Sequence, residues 1–236
     1  MDLQGAIQEA GRCLVCHDAP CNAGCGADND PATFIRQLRL GNIRGAVRTM
    51  RRNNVLAATC AQVCPTCRLC EQGCARSGID ETIRISEIQA FLATYEREQG
   101  MQVLQAPEAG DRRVAIVGAG PAGLSAAATL ALSGYSTVVF EKMPEPGGQL
   151  RYGIPDHRLS PELVAHEIAL VRGLGVQIEC EHPIATKADL EGLFEQDFDA
   201  VFLAPGYDRP YSVGLGDGVS TGLYPWSDFL SQSKDP

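Results

Sequence analysis

Ile85, Ile88, Phe91, Leu92 and Tyr95 recur at steps of three and four residues up to Gly100, the period of a helix with one buried face. Two more helices are predicted upstream. DPATFIRQLRLGN offers Asp30 as cap, Pro31 in the first turn and Gly41 as the stop, and a second helical stretch covers 43–52. Residues 101–112, beginning MQVLQAPEAG, read as a linker, and after them the period changes. Short apolar runs at 114–117, 136–141, 176–180 and 200–204 read as strands, interleaved with a small-residue helix from Ala122 and a helix capped by Ser160 with Pro161 at its start. Strands alternating with helices predict a parallel sheet covered by helices. The expected organisation is an α-helical domain over 1–100, the linker over 101–112, and an α/β Rossmann-like unit over 113–236.

At 236 residues and 44% hydrophobic, the chain is long enough for two domains with cores of their own. VAIVGAGPAGLSAAATLAL, 114–132, is apolar enough to pose as a membrane span, but its glycines, proline and strand-like opening fit strand, loop and helix better, so no membrane span is expected. The net charge of -9 and a pI near 4.9 argue against a nucleic-acid partner. That charge is uneven: from Pro31 to Cys70 there is no Asp or Glu, while Arg36, Arg39, Arg44, Arg48, Arg51, Arg52 and Arg68 are all cationic. Singly each reads as part of a solvated helix face; together they would offset buried thiolates.

Nine of the ten cysteines lie between positions 13 and 74. MDLQGAIQEAGRC has neither the basic flank nor the apolar run of a secretory signal, so a cytoplasmic address is expected and the thiols read as metal ligands rather than disulfides. RCLVCHDAPCNAGC contains CxxCH, the haem c attachment pattern, but haem attachment requires export and leaves Cys21 and Cys25 without purpose. Zinc is the stronger rival, since two four-cysteine sites can be assembled, although structural zinc sites pair two CxxC-like turns across a longer gap. The second run, CAQVCPTCRLCEQGC, holds Cys60, Cys64, Cys67, Cys70 and Cys74, and from Cys64 to Cys74 it has the x2, x2, x3 spacing of bacterial ferredoxins. Two 4Fe-4S cubes sharing distal ligands between the runs is the best account of the spacing.

Downstream, GAGPAG follows a strand and opens a helix. Gly118, Gly120 and Gly123, with Pro121 and Ala122 between them, suit a pyrophosphate turn; Glu141, followed by Lys142, ends the next strand eighteen residues after Gly123, where it can accept from ribose hydroxyls. His157, His166 and His182 have no nucleophile beside them and read as surface or helix positions. Cys180 alternates with Val176 and Ile178 and reads as a small buried hydrophobe, and Trp226 as packing at a helix start. No catalytic acid, base or nucleophile set is found.

CLVCHDAPCNAGC, NNVLAATCAQVCPTCRLCEQGC, VAIVGAGPAGLSAA and GGQLRYGIPDHRL, in this order, resemble the N-terminal part of the NAD-dependent dihydropyrimidine dehydrogenase small subunit and, more broadly, the glutamate synthase small-subunit family. The resemblance covers essentially the whole chain. It implies an α-helical two-cluster iron–sulfur domain followed by an incomplete α/β Rossmann-like FAD-binding domain. Cys13, Cys16, Cys21 and Cys74 would hold one 4Fe-4S cluster; Cys25, Cys64, Cys70 and the side-chain oxygen of Gln89 would hold the other, leaving Cys60 and Cys67 spare. A plain ferredoxin reading uses Cys67 instead. Gly26 stands where the family commonly has proline, which loosens the loop without removing a ligand. The nucleotide would be FAD, with Gly148, Gln149, Leu150 and Arg158 also near it.

In the family a nicotinamide-binding domain follows the segment represented by FLAPGYDRP, and the chain then returns to complete the flavin site. GLGDG at 214–218 is superficially similar to the returning motif, but no apolar strand precedes it, so it reads as a loop. The chain is accordingly expected to be a fragment, a truncation or a short subunit completed by a partner. The resulting expectation is an oxidoreductase component passing electrons between flavin and a catalytic or electron-accepting subunit in a hetero-oligomer, with NAD(P)H engaged only through a missing domain or partner. Pyrimidine reduction is the favoured overall reaction, with the substrate bound elsewhere. Glutamate synthase-like electron input, an electron-relay adapter and a zinc-binding interaction module are the alternatives.

Overall fold

Side-chain caps decide where several helices begin. In the computed structural model, which describes residues 1–207 and 224–234, Asp2 accepts the backbone N–H of Gly5 to start α1 (Leu3–Gly11), and α2 (Pro20–Ala23) is a single turn between the first cysteines. Asp30 accepts from Thr33 N at 2.9 Å to start α3 (Pro31–Arg39), with Pro31 in the first turn as expected. Asn42 does the same for α4 (Ile43–Asn53), after Gly41 has turned the chain at φ +75°. Then come α5 (Ala57–Val63), two short 3₁₀ turns and α6 (Ile85–Glu98).

These six helices form the unit Met1–Gln105. Its core is apolar, with Phe34, Leu38, Val47, Met50, Ile88 and Leu92 all fully buried. One ion pair lies inside it. Arg51 donates through Nε to Glu96 Oε2 at 2.8 Å and through Nη1 to the Val55 carbonyl at 2.6 Å, its Nη2 stands 2.8 Å from the same carboxylate oxygen as an ion pair, and both charged side chains are 1% exposed. It joins α4 to α6, and the low surrounding dielectric makes the pair costly to break from either side.

The second unit, Ala106–Pro236, is built on β1 (Arg113–Val117), α7 (Pro121–Leu132), β2 (Ser136–Phe140), α8 (Gln149–Tyr152), α9 (Pro161–Gly173), β3 (Gln177–Glu179), α10 (Lys187–Glu195), β4 (Ala200–Leu203) and α11 (Trp226–Gln232). The strands are all parallel, in the order β3-β2-β1-β4, with Val114 opposite Thr137 on one side and Ala200 on the other. One face packs Ala115, Val117, Val138 and Phe140 against Leu193 and Phe198. On β1 and β2 the residues between these, Ile116 and Val139, are also fully buried, as the inner strands of a sheet covered on both faces require.

The outer strands differ. β4 pairs only with β1 among the described residues and leaves Phe202 and Leu203 exposed. Cys180 follows β3 and is only partly buried, on a strand that pairs only with β2 among the described residues. Trp226 does start a helix, but it is 45% exposed rather than packed. The loop expected at 214–218 lies outside the described residues. Among the described residues no helix is long and apolar enough to cross a membrane; 114–132 divides into β1 and α7.

Replacing Glu96 with alanine strands the Arg51 guanidinium in the core. The expected cost is about 3–5 kcal/mol, read as a lowered urea midpoint for the loss of helical circular dichroism; an unchanged midpoint would show that the pair contributes nothing.

Candidate functional site

The two cysteine runs lie back to back. A Cβ placed on Gly24 of the first run would stand 2.8 Å from the carbonyl oxygen of Leu69, and one on Gly73 of the second would stand 2.8 Å from that of Pro20. Neither position accepts a side chain without a backbone shift. This approach brings Cys13, Cys16, Cys21 and Cys74 around one pocket, walled also by Ile35, Ile83, Ile85 and Arg76. The pocket is partly open to solvent, and all four cysteines belong to its lining. Among the described residues no three His, Cys, Asp or Glu side chains are grouped to hold a single ion. Four soft donors spread around a pocket suit an iron–sulfur cube, in which each thiolate meets a different iron. Burial pushes the Cys21 thiol up to about 11, and the neighbouring Cys13 and Cys74 add to the effect.

Val15, between Cys13 and Cys16, has φ +55°, a region that costs a β-branched residue roughly 1–3 kcal/mol. The CxxC turn is thus held against local preference by its surroundings.

Cys25, Cys64 and Cys70 form a second group within electrostatic reach of one another. Burial pushes Cys70 up to about 11, with Glu71 and Cys25 contributing. Cys64 goes the other way: a hydrogen bond from the Cys60 side chain lowers it to about 7 against burial and the charges of Cys70 and Cys25. Cys60 itself accepts from Asn54 Nδ2 at 3.2 Å, while Cys67 is exposed.

Gln89 is buried on α6, and its Nε2 donates to the Ala57 carbonyl at 2.5 Å. Because a carbonyl only accepts, this bond assigns the amide nitrogen, and the oxygen is the other end of the same side-chain amide. Ala57 opens α5, the helix that runs into Cys64. The cysteine loop is pinned to α6 from the other side as well, since Glu71 accepts both the backbone N–H and the hydroxyl of Ser86, at 2.9 and 2.8 Å.

The arginines of 31–70 do not act as one counter-charge. Arg36, Arg44, Arg48 and Arg52 are exposed, Arg51 is paired with Glu96, and Arg39 reaches the carbonyl of Cys13 at 3.3 Å.

In the second unit, Gly118, Gly120, Pro121, Glu141, Lys142, Gly148 and Gln149 line one cleft at the C-terminal ends of β1 and β2. The cleft is broad and partly open to solvent, and it lies at the C-terminal ends of the strands, where a parallel sheet of this kind takes a dinucleotide. The N-terminus of α7 opens onto it, with backbone amides free to receive a pyrophosphate. Glu141 is buried: Oε2 accepts from Ala119 N at 2.7 Å and Oε1 from Met143 N at 2.9 Å. Each oxygen keeps a further lone pair for a ribose hydroxyl. Ala122, Gly123, Leu150 and Arg158 are not on the lining. Gly123 lies under Gly118, whose carbonyl oxygen a Cβ would strike; Leu150 borders a neighbouring cavity and Arg158 is exposed. Met143, Tyr152, Asp228 and Ser231 line the cleft without any local motif to announce them.

Residues 1–101 match the family described as dihydropyrimidine dehydrogenase domain II, 4Fe-4S cluster, and residues 116–168 match the NAD(P)-binding Rossmann-like domain. Over 201 residues the chain is 46% identical to the NAD-dependent dihydropyrimidine dehydrogenase subunit PreT homolog of Salmonella typhi, covering 85% of this chain and 48% of that protein. It is 43% identical over 223 residues to PreT of Escherichia coli K12, covering 94% and 52%, and 33% identical over 227 residues to the putative oxidoreductase AegA of the same strain, covering 95% and 34%. The chain thus spans about half the length of the PreT proteins it matches.

The thiols of the iron-free protein are expected to differ in reactivity, because only the thiolate attacks an alkylating agent. Cys64 should become reactive as pH rises through about 7, whereas Cys21 and Cys70 stay protonated until about 11. Peptide mapping after iodoacetamide pulses across this range reads the order directly. Cys60→Ala removes the hydrogen bond that lowers Cys64 and should move the Cys64 profile to higher pH.

Proposed function

On the premise that the chain belongs to the iron–sulfur oxidoreductase family of the dihydropyrimidine dehydrogenase subunit PreT, we propose that it is the electron-transfer portion of an NAD(P)H-dependent pyrimidine reductase. The observation that carries this reading is the gathering of Cys13, Cys16, Cys21 and Cys74 around one pocket. In this proposal those four hold one 4Fe-4S cluster and Cys25, Cys64, Cys70 and Gln89 a second, within a helical domain over 1–100. After the linker 101–112, the unit over 113–236 takes FAD. The nicotinamide site and the pyrimidine site belong to a domain or partner subunit outside this chain, in a cytoplasmic hetero-oligomer.

When bound, the clusters carry single electrons and the flavin exchanges a hydride with a nicotinamide. The chain's own residues hold and shield them. Thiols at Cys21 and Cys70 give up their protons on ligation, so assembly is favoured by rising pH. Ile35, Ile83 and Ile85 keep water from the first pocket. In the cleft, α7 amides receive the pyrophosphate and Glu141 orients a ribose. The burial of Gln89 on α6, with its amide nitrogen on the Ala57 carbonyl at the start of the helix that runs into Cys64, supports its role as ligand through the oxygen, and the neutral donor removes one negative charge from the second cluster relative to a thiolate. Names of relatives favour pyrimidine reduction over glutamate synthesis, since those at 43% and 46% identity are dihydropyrimidine dehydrogenase subunits.

Anaerobic purification should yield about eight irons with matching sulfide per chain; stoichiometric zinc without sulfide would refute the reading. The isolated chain should hold FAD weakly and reduce dyes with NADH slowly or not at all. For the second cluster, Cys67→Ala is expected to leave iron, sulfide and the reduced electron paramagnetic resonance signals intact, and Gln89→Ala to lose or destabilise one set. The opposite pattern would assign Cys67 as the ligand.

A further inference from the structure

Arg76 lies two residues past Cys74 and forms part of the wall of the first pocket. Its guanidinium is fully engaged in one direction. Nε and Nη2 meet the two oxygens of Asp80 at 2.6 and 2.8 Å, and Nη1 donates to the backbone carbonyl of Arg12 at 2.8 Å. Arg12 immediately precedes Cys13. Its own Nη2 returns to Asp80 at 3.2 Å and to the Glu81 carbonyl at 2.6 Å, while Nη1 meets Glu9 at 2.7 Å. The turn bearing the clamp is itself braced, because Ser77 N donates to the Cys74 carbonyl and Asp80 N to the Arg76 carbonyl, each at 3.1 Å.

We propose that Arg76, locked on Asp80, is the positioning residue that closes the first cluster site. This rests on the cluster reading given above and adds a role that none of the cysteines can fill. The site needs Cys74 to stand beside Cys13, although the long intervening chain gives them no local reason to meet, and closing such a loop carries an entropic cost. A planar guanidinium held by a bidentate carboxylate presents Nη1 in one fixed direction, and that direction is the peptide entering Cys13. Arg76 is also a cation at the wall of a pocket whose ligands become anionic on binding. A positive charge there favours the more negative, reduced form of the cluster, so its removal shifts the cluster's potential downward.

The test uses the full chain with its own clusters, purified anaerobically as wild type, Arg76→Lys, Arg76→Gln and Asp80→Asn. Iron and sulfide content, chelator-driven iron release and potentiometric electron paramagnetic resonance are read for each. Arg76→Gln and Asp80→Asn should release half of the iron at least tenfold faster and the other half at the wild-type rate. Arg76→Gln should move one cluster's potential to lower values. Arg76→Lys should restore that potential while still releasing iron faster, because an ammonium keeps the charge and loses the fork. In a Cys21→Ala background, Arg76→Gln should change nothing further. Wild-type release in both variants, or acceleration of both halves alike, would overturn the proposal. A wild-type chain without sulfide would instead fail the cluster reading itself, before any variant is compared.

Discussion

The beginning of α6 is held by carboxylates that belong to other segments, and the helical unit is organised around that fact. No side chain of α6 caps its own first amides. Glu9, from α1, accepts the N–H of Arg84 at 3.0 Å; Glu71, from the loop between Cys70 and Cys74, accepts that of Ser86 at 2.9 Å. Anionic acceptors are favoured at a helix N-terminus, where the unpaired N–H groups and the dipole both attract negative charge. Burial alone would push the Glu9 carboxyl up. The backbone N–H of Arg84 and the Arg12 guanidinium outweigh it and hold the group below the usual range. With its first turn pinned by two carboxylates, α6 delivers Gln89 to the start of α5 and Glu96 to Arg51 from a single helix.

Legibility in the sequence followed the range of the interactions. The caps at Asp30 and Ser160, the stop at Gly41 and the strand, turn and helix around GAGPAG depend on residues a few positions apart, and the structure bears them out. The parallel sheet was also readable, because alternation of strands and helices leaves few other arrangements. Burial at the sheet's outer edges was not. Cys180 and Trp226 have apolar character and regular placement, yet their exposure depends on what covers β3 and α11.

The candidate sites divide in the same way. Spacing identified the two cysteine runs but left their partition open, and only the approach of Gly24 to Leu69 and of Gly73 to Pro20 shows how one run meets the other. The clustered arginines drew attention by composition, yet of these only Arg39 reaches a cysteine of the first pocket, through the Cys13 carbonyl, and the arginine in that pocket's wall is Arg76, which lies outside the stretch. Glu141 was singled out for a ribose. Its two bonds to backbone N–H groups also make it a brace that ties the turn after β1 to the turn after β2. Such dual use cannot be read from a motif, because the backbone partners carry no sequence mark.

Edge strand β4 has a consequence for the handling of the protein. Its outer backbone groups have no strand partner among the described residues, and Phe202 and Leu203 stand exposed beside them. An unpaired apolar edge is a template on which another extended chain can add. The net charge of -9 opposes that association through mutual repulsion, and the repulsion weakens as salt shortens the screening length or as pH approaches the pI near 4.9. Association along β4 is thus set against the net negative charge of the chain, a balance that ionic strength and acidity both shift.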